Sequence, residues 1–419
     1  MKNKPLVSDP VKKINVKEAR SLWRRSLESI QRETVYISPE DALGRILAKD
    51  VRAVYPYPPY RKSPFDGYAV PGRDLSRDFT VVATIGAGEI YDRPVAPTEA
   101  VRLMTGCIVP DGCDTVIMQE HVSRCGDTIH ITHPGQKSSN IIPIGEECPA
   151  GRVLFHQGTR LDSGTISALV GLGNEVLPVY RKLRILLLTS GRELVMPGLP
   201  RQKGQILNSN AFLLKHLLSK TGPYLLSFHH VTDDPAQLPD EIDIVRKLAD
   251  PADVIISTGG VSVGLYDTMP NLYDALGAKC LYERITMRPG SASYGGICNR
   301  PNGKLTAILG LSGNPAAAFN AYHLLAVPVL RFLSGENELD FPIITCRLTM
   351  PIRKKNPVDR YVQGHVHFDR GQGSFTPNEV ITSSALLGLA HTNGLAVIPR
   401  GTPPYQPGQD IPVILLHEL

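Results

Sequence analysis

Apolar positions recur along this chain in distinct rhythms. Between residues 16 and 30, Val16, Ala19, Leu22, Trp23, Leu27 and Ile30 fall at helical spacing, with Arg24 and Arg25 on the other side. Trp23 reads as a core or interface anchor. Tyr36-Ile37 predicts a short strand, and Ser38-Pro39-Glu40-Asp41 a helix start with a Ser cap and Pro at the first position. Residues 46–54 read as a strand. A proline-rich excursion over 55–64 cannot join an interior helix or a central strand, and Asp66-Gly67 is a turn pair before a strand. Residues 78–127 hold short strands separated by Gly, Pro and Asp, the pattern of a small β-rich module. Gly145-Glu146-Glu147 sits in a loop, 151–154 starts a strand, and Ser163 caps an apolar helix ending near Gly171 or Gly173.

From 183 to 334 the rhythm changes to β-α alternation. Largely apolar runs at 183–188, 252–257 and 306–309 predict buried strands, and 225–231 reads as a further strand. Helical patterns lie at 210–221, 239–248 and 316–333, with Asn208 or Asn210 near the first cap. A further helix starts at Asp267, with Pro270 in its first turn. Residues 343–419 carry short strands and many turn residues, as in a small β-barrel or sandwich. The expected fold is multidomain α/β. It has a doubly wound α/β ligand domain at 181–337, a β-rich insertion at 55–140 within an α+β linker domain at 11–54 and 141–180, and a C-terminal small β-barrel at 338–419.

Composition narrows the function classes. A chain of 419 residues holds about two to four domains. A net charge of +5 suits an acidic small ligand and is far from a nucleic-acid or membrane footprint. Seven cysteines without a C-x-x-C pair argue for a reducing compartment and against a disulfide framework or a structural zinc site. No signal peptide and no apolar run long enough to span a bilayer is apparent, so the expected location is the cytoplasm.

The candidate chemistry sits where two buried strands end in Gly/Ser loops. The first is Ser257-Thr258-Gly259-Gly260-Val261-Ser262-Val263-Gly264, and the second is Gly310-Leu311-Ser312-Gly313-Asn314-Pro315. Another strand ends in Thr189-Ser190-Gly191-Arg192-Glu193. In an open α/β sheet, ligands sit at such carboxyl ends. Adjacent glycines let bare backbone N–H groups approach a phosphate. Gly260 to Gly264 also fits the G-x-S-x-G nucleophile elbow, but several residues separate Ser262 from any helix. A tight loop with no ligand is the third reading, and phosphate binding is preferred to either.

Four motifs resemble the molybdopterin molybdenumtransferases, a family that includes the gephyrin E-domain. Ser63-Pro64-Phe65-Asp66-Gly67-Tyr68-Ala69 resembles its S-x-M-D-G-Y-A, and Thr105-Gly106 to Asp114 its T-G-x-x-x-P-x-G. Ser257 to Gly264 followed by Asp267 matches S-x-G-G-V-S-V-G-x-x-D, and Leu311 to Pro315 resembles L-P-G-N-P. The resemblance runs from about residue 15 to the C-terminus. It implies a four-domain homodimer that inserts molybdate into adenylylated molybdopterin with Mg²⁺ and releases AMP, in molybdenum cofactor biosynthesis. It implies metal carboxylates at Glu193 and Asp267. Asp66, Thr105, Glu147, Asp233 and Arg288 are implied in catalysis, the first three from the facing subunit. Ser190, Gly191, Ser257, Thr258, Gly259, Gly260, Ser262, Gly313, Asn314 and Pro315 are implied in binding molybdopterin, and Ser383 is a weaker match. Molybdoenzymes or other cofactor-pathway proteins are the implied partners.

The departures define a second reading. The family's G-D-E-L is Gly191-Arg192-Glu193-Leu194 here, K-P-G-K is Arg288-Pro289-Gly290-Ser291, and L-P-G-N-P has Ser312 in place of its Pro. An arginine expected near Gly364-His365 is missing. A catalytically weakened relative that binds molybdopterin or a partner, as chaperone or scaffold, would carry such changes.

Overall fold

The structure, a computed structural model, describes residues 13–133, 140–234, 236–261, 268–300, 303–353 and 357–416. Its central element is a seven-stranded sheet. The strands in chain order are β1 (Lys13–Ile14), β2 (Arg184–Ser190), β3 (Leu225–Val231), β4 (Val254–Thr258), β5 (Ala278–Ile285), β6 (Ala292–Asn299) and β7 (Leu305–Leu311). Their spatial order is β1-β5-β6-β7-β4-β2-β3. β3, β2, β4 and β7 run parallel, whereas β6 is antiparallel to both β5 and β7.

The apolar runs are continuous because both faces of the sheet are covered. Ile185, Leu187, Val254, Ile256, Ala307 and Leu309 face a core shared with helices Val16–Leu27, Ser209–Thr221 and Pro315–Ala321. Their neighbours Leu186, Leu188, Ile255 and Ile308 face a second core with Val245, Met269, Leu272 and Tyr273. Successive strand side chains point to opposite faces, so the doubly wound arrangement follows from these runs. In register, Thr189 lies beside Thr258, and Thr258 beside Leu311. The three parallel strands therefore end level, and their loops meet on one edge.

The sequence reading passed over β5 and β6. Their pairing shifts register twice, and Gly295-Gly296 interrupts the apolar pattern. The leading segment packs on this central sheet as well: β1 pairs with β5, and Trp23 is buried with its indole N–H donating to the Tyr282 hydroxyl at 3.1 Å.

Elsewhere, strands Thr34–Ile37 and Val51–Arg52 pair with Leu177–Tyr180 and Val153–Phe155. Between these partners in the chain lies a six-stranded sheet spanning Gly67–Val70 to Thr128–Ile131. The strand expected over 46–54 is reduced to bridges at Ile46 and Leu47 and the two residues Val51–Arg52. Asp50 breaks it by accepting hydrogen bonds from the Gln157 amide and His156. The expected Ser163 cap is instead Asp162, which forms a capping box with Thr165. The helix start at 38–41 is a 3₁₀ turn, Pro39–Asp41.

The C-terminal strands form a closed barrel. Asp359–Asp369, Gln372–Pro377, Ile343–Leu348, Asp410–Leu415 and Gly394–Ile398 pair in sequence around it, and the last pairs back to the first. Among the described residues one helical stretch, Pro315–Ser334, is long and apolar enough to cross a membrane, contrary to the sequence reading. It is the core helix of the central domain, and 89% of its most apolar window is buried.

Trp23 ties the leading helix to the sheet. Trp23→Ala is expected to reduce the unfolding free energy by about 3–5 kcal/mol in urea titrations. A loss under about 0.5 kcal/mol would show that the helix lies outside the folded core.

Candidate functional site

The three strand-end loops meet over a cleft of about 920 Å³. Its floor requires glycine. Gly259 and Gly260 have φ of +89° and +60°, in the left-handed region. A Cβ on Gly259 would stand 2.2 Å from the Ser190 carbonyl oxygen, and one on Gly313 would stand 3.3 Å from Gly259 Cα. The glycines thus let three loops pack backbone against backbone. The Gly259 amide donates to the Leu311 carbonyl at 3.3 Å, so it is spent inside this junction.

Asn210 pins the junction from the first turn of helix Ser209–Thr221. Its Nδ2 donates to Thr258 Oγ1 at 3.0 Å and to the Gly313 carbonyl at 2.8 Å. Thr258 in turn donates to the Ser312 carbonyl at 2.9 Å. Asn210 Oδ1 is buried with no partner among the described residues. Beneath the loops, Asn208 donates to Thr189, whose hydroxyl contacts His230 Nδ1 at 2.9 Å. Burial, opposed by Asp233, lowers the His230 pKa, which keeps the ring neutral near pH 7.

The structure brings many of the expected residues together. Ser190, Gly191, Glu193, Asp233, Thr258, Gly259, Gly260, Gly313, Asn314 and Pro315 all line the cleft. Ser257 is fully buried below it and hydrogen-bonds Tyr273. The Asp233 carboxylate accepts from the Ser190 hydroxyl and from Thr268 Oγ1. Glu193 is exposed, with its carboxylate folded back toward Gly191. Ser262 and Asp267 lie outside the described residues. The helix that Asp267 was expected to open is Met269–Ala275, with Thr268 at the cap position.

The barrel completes the site. The Ser383 carbonyl accepts from the amides of Ala316 and Ala317, and its hydroxyl meets Asn314 Nδ2 at 3.3 Å. The N-terminus of helix Pro315–Ala321 is therefore capped by the barrel rather than open to an anion. Gln363 fixes the same contact, donating to the Ala316 carbonyl and to Asn320 Oδ1. A second cavity of about 430 Å³ adjoins the cleft through Ala292, Ser312 and Asn314. Arg288, Ser291, Ser383 and Arg360 line it. Arg360 is only 7% exposed, and no acidic side chain among the described residues pairs with it. Burial, and then repulsion from Arg288, pull its pKa down. Sequence reasoning missed Arg360; its only signal is a lone cation next to the apolar pair Tyr361-Val362.

Asp66, Thr105 and Glu147 line neither cavity of their own chain. Asp66 and Thr105 do come together, 39 positions apart in sequence. Asp66 Oδ1 accepts from the Thr105 amide at 2.7 Å and its hydroxyl at 2.8 Å.

Residues 14–173 match the model of the MoeA N-terminal region, 186–331 that of a probable molybdopterin binding domain, and 345–416 that of the MoeA C-terminal region. The molybdopterin molybdenumtransferase of Staphylococcus epidermidis is 31% identical over 409 residues, covering 96% of this chain and 95% of that protein. A Staphylococcus aureus protein of the same name is 32% identical with the same coverage. This chain belongs to the molybdopterin molybdenumtransferase family. A crystal structure of a molybdopterin biosynthesis MoeA protein from Pyrococcus horikoshii has the same fold, with a TM-score of 0.80 at 24% identity over 97% of this chain and all of that one. The four-motif resemblance is thus a family relationship over the full described length.

Two expectations follow for this family member. Gly259→Ala should cost about 2 kcal/mol or more, because the junction must open around the new Cβ; an unchanged melting temperature would contradict it. Asp66 is held below the usual carboxylate range by the Thr105 amide and then by its hydroxyl. A depressed acid adds stability above its unfolded pKa, and loses it as pH falls through the folded pKa. Thr105→Val should raise the Asp66 pKa in a pH titration followed by NMR, and an unmoved pKa would refute the hydroxyl's role.

Proposed function

We propose that this protein inserts molybdate into adenylylated molybdopterin and releases AMP, as the strand-end loops of its central sheet and the adjoining cationic cavity suggest. The observation that carries the reading is the juxtaposition of two cavities. The cleft offers glycine loops and hydroxyls to a phosphorylated pterin. The neighbouring pair Arg288 and Arg360 offers two guanidinium groups to a tetrahedral oxyanion such as molybdate. Relatives named for this transfer support it.

Mg²⁺ is carried over from the family resemblance, and Glu193 is the carboxylate among the described residues that could meet it. Glu193 presents an exposed carboxylate to the cleft, while Asp233 is engaged by Ser190 and Thr268. Among the described residues no cluster of three His, Cys, Asp or Glu is placed to hold a metal. Glu193, with Asp267 as the second carried-over carboxylate, would share such an ion with ligand phosphate oxygens, the usual Mg²⁺ arrangement. Bound there, the ion would supply positive charge against the charge that develops on the phosphate.

The chain's own residues then do the positioning. Asp233 fixes the Ser190 hydroxyl by accepting its hydrogen bond, and Asn210 keeps Thr258 and Gly313 in place. Arg288 and Arg360 hold the oxyanion beside the phosphate with little reorganisation, because Arg360 is already desolvated. Leu194, Val261 and Leu386 line the cleft with apolar surface that limits water. Asp66, Thr105 and Glu147 are taken to serve the cleft of a second copy in a homodimer. The reaction belongs in the cytoplasm, where its product is passed to molybdoenzymes or other proteins of the pathway.

The scaffold reading is weaker, since the carboxylate Glu193 survives beside Arg192. AMP release from adenylylated molybdopterin and molybdate separates the two. Glu193→Gln is expected to slow release by about a hundredfold or more while pterin binding persists. Arg360→Gln should raise the molybdate concentration required by about tenfold, the loss of a charged hydrogen bond. Tight pterin binding with no AMP release from the unmodified protein would favour the scaffold instead.

A further inference from the structure

A groove of about 470 Å³ lies between helix Ser209–Thr221 and the barrel, and shares no lining residue with either cavity described above. Leu217 and Phe319 are buried and give it apolar lining. His216, Lys220, His365 and His391 are exposed along it, and no carboxylate is among its lining residues. The His365 ring meets the His391 carbonyl at 3.2 Å through Nδ1. A carbonyl can only accept, so Nδ1 carries the proton and Nε2 is left for a ligand or water. Among the described residues these imidazoles do not form a set able to hold a metal ion.

An apolar wall bordered by an ammonium and imidazoles, with no acid among them, complements a flat apolar body that ends in a negative charge. We propose that this groove is a second binding site, for a small aromatic anion whose ring packs on the half-buried Leu213 and Leu389, above Leu217 and Phe319, and whose phosphate or carboxylate meets Lys220 and His391. Its position gives it a route to the reaction. Ser209 and Asn210, in the first turn of the same helix, line the cleft, and Lys220 stands near its other end. On the barrel side, Ser384 and Leu386 line the cleft, and residues 389–393 line the groove. A ligand bridging helix and barrel here touches both elements that wall the cleft.

Isothermal titration of the full chain with phenyl phosphate tests the site, with phenol and inorganic phosphate titrated alongside. One site per chain is expected for phenyl phosphate, at least tenfold weaker for phenol and for phosphate alone. The double variant Lys220→Glu, His391→Glu should weaken it at least tenfold while AMP release stays within twofold of the unmodified protein. Both substituted side chains are exposed, so the fold should persist, which circular dichroism checks. Absence of the site, or binding indifferent to the double substitution, would overturn the proposal.

Discussion

The close packing of three loops at one edge of the central sheet governs the rest of this molecule. Gly259 stands against the Ser190 carbonyl, Gly313 against Gly259, and a single buried amide, Asn210, bridges Thr258 and Gly313. A Cβ on Gly259 would run into the Ser190 carbonyl, and one on Gly313 would press on Gly259. That closeness makes one continuous floor from loops that belong to three different strands. It also brings Ser190, Asp233 and Glu193 to the same opening. The glycine pair was expected to cradle a phosphate with its own amides. At Gly259 the amide instead holds the junction together, so the pair builds the floor on which a ligand rests.

A second constraint comes from the barrel. Its Ser383 carbonyl caps helix Pro315–Ala321, and Gln363 ties the same helix to the barrel wall. The amides of Ala316 and Ala317 would otherwise be orphaned at the helix start. These contacts hold the barrel against the central sheet, and the parallel pairing of Met287-Arg288 with Asp359-Arg360 sets the two arginines side by side at one cavity. Two like charges are held close there, and one is nearly stripped of water. Such an arrangement is unfavourable when empty and favours an anion.

Much of this could be read from the sequence, and the parts that could not have physical reasons. The runs at 184–190, 254–258 and 305–311 are apolar on both faces, so they declare buried parallel strands. The Gly/Ser loops that follow mark the site because no other residue types allow that backbone approach. The strands at 278–285 and 292–299 were missed, since their shifted register and paired glycines blur the pattern. The place of helix Val16–Leu27 on the central sheet is also invisible in sequence. It depends on a contact between Trp23 and Tyr282, 259 positions apart. Arg360 was hidden for a similar reason, because a strand residue's surroundings are set by partners distant in the chain. Asp66 and Thr105 were read, with Glu147, as family positions from the other half of the molecule, and the hydrogen bonds of the first two show that they meet across 39 positions of sequence.

The central claim is that a phosphorylated pterin rests on the three-loop floor. Amide hydrogen exchange with and without adenylylated molybdopterin measures this most directly. Slowed exchange at residues 190–194, 258–261 and 312–314, with the strands of 115–131 unchanged, is the predicted result. Protection confined to other surfaces, with the three loops exchanging at the same rate in both states, would contradict the account.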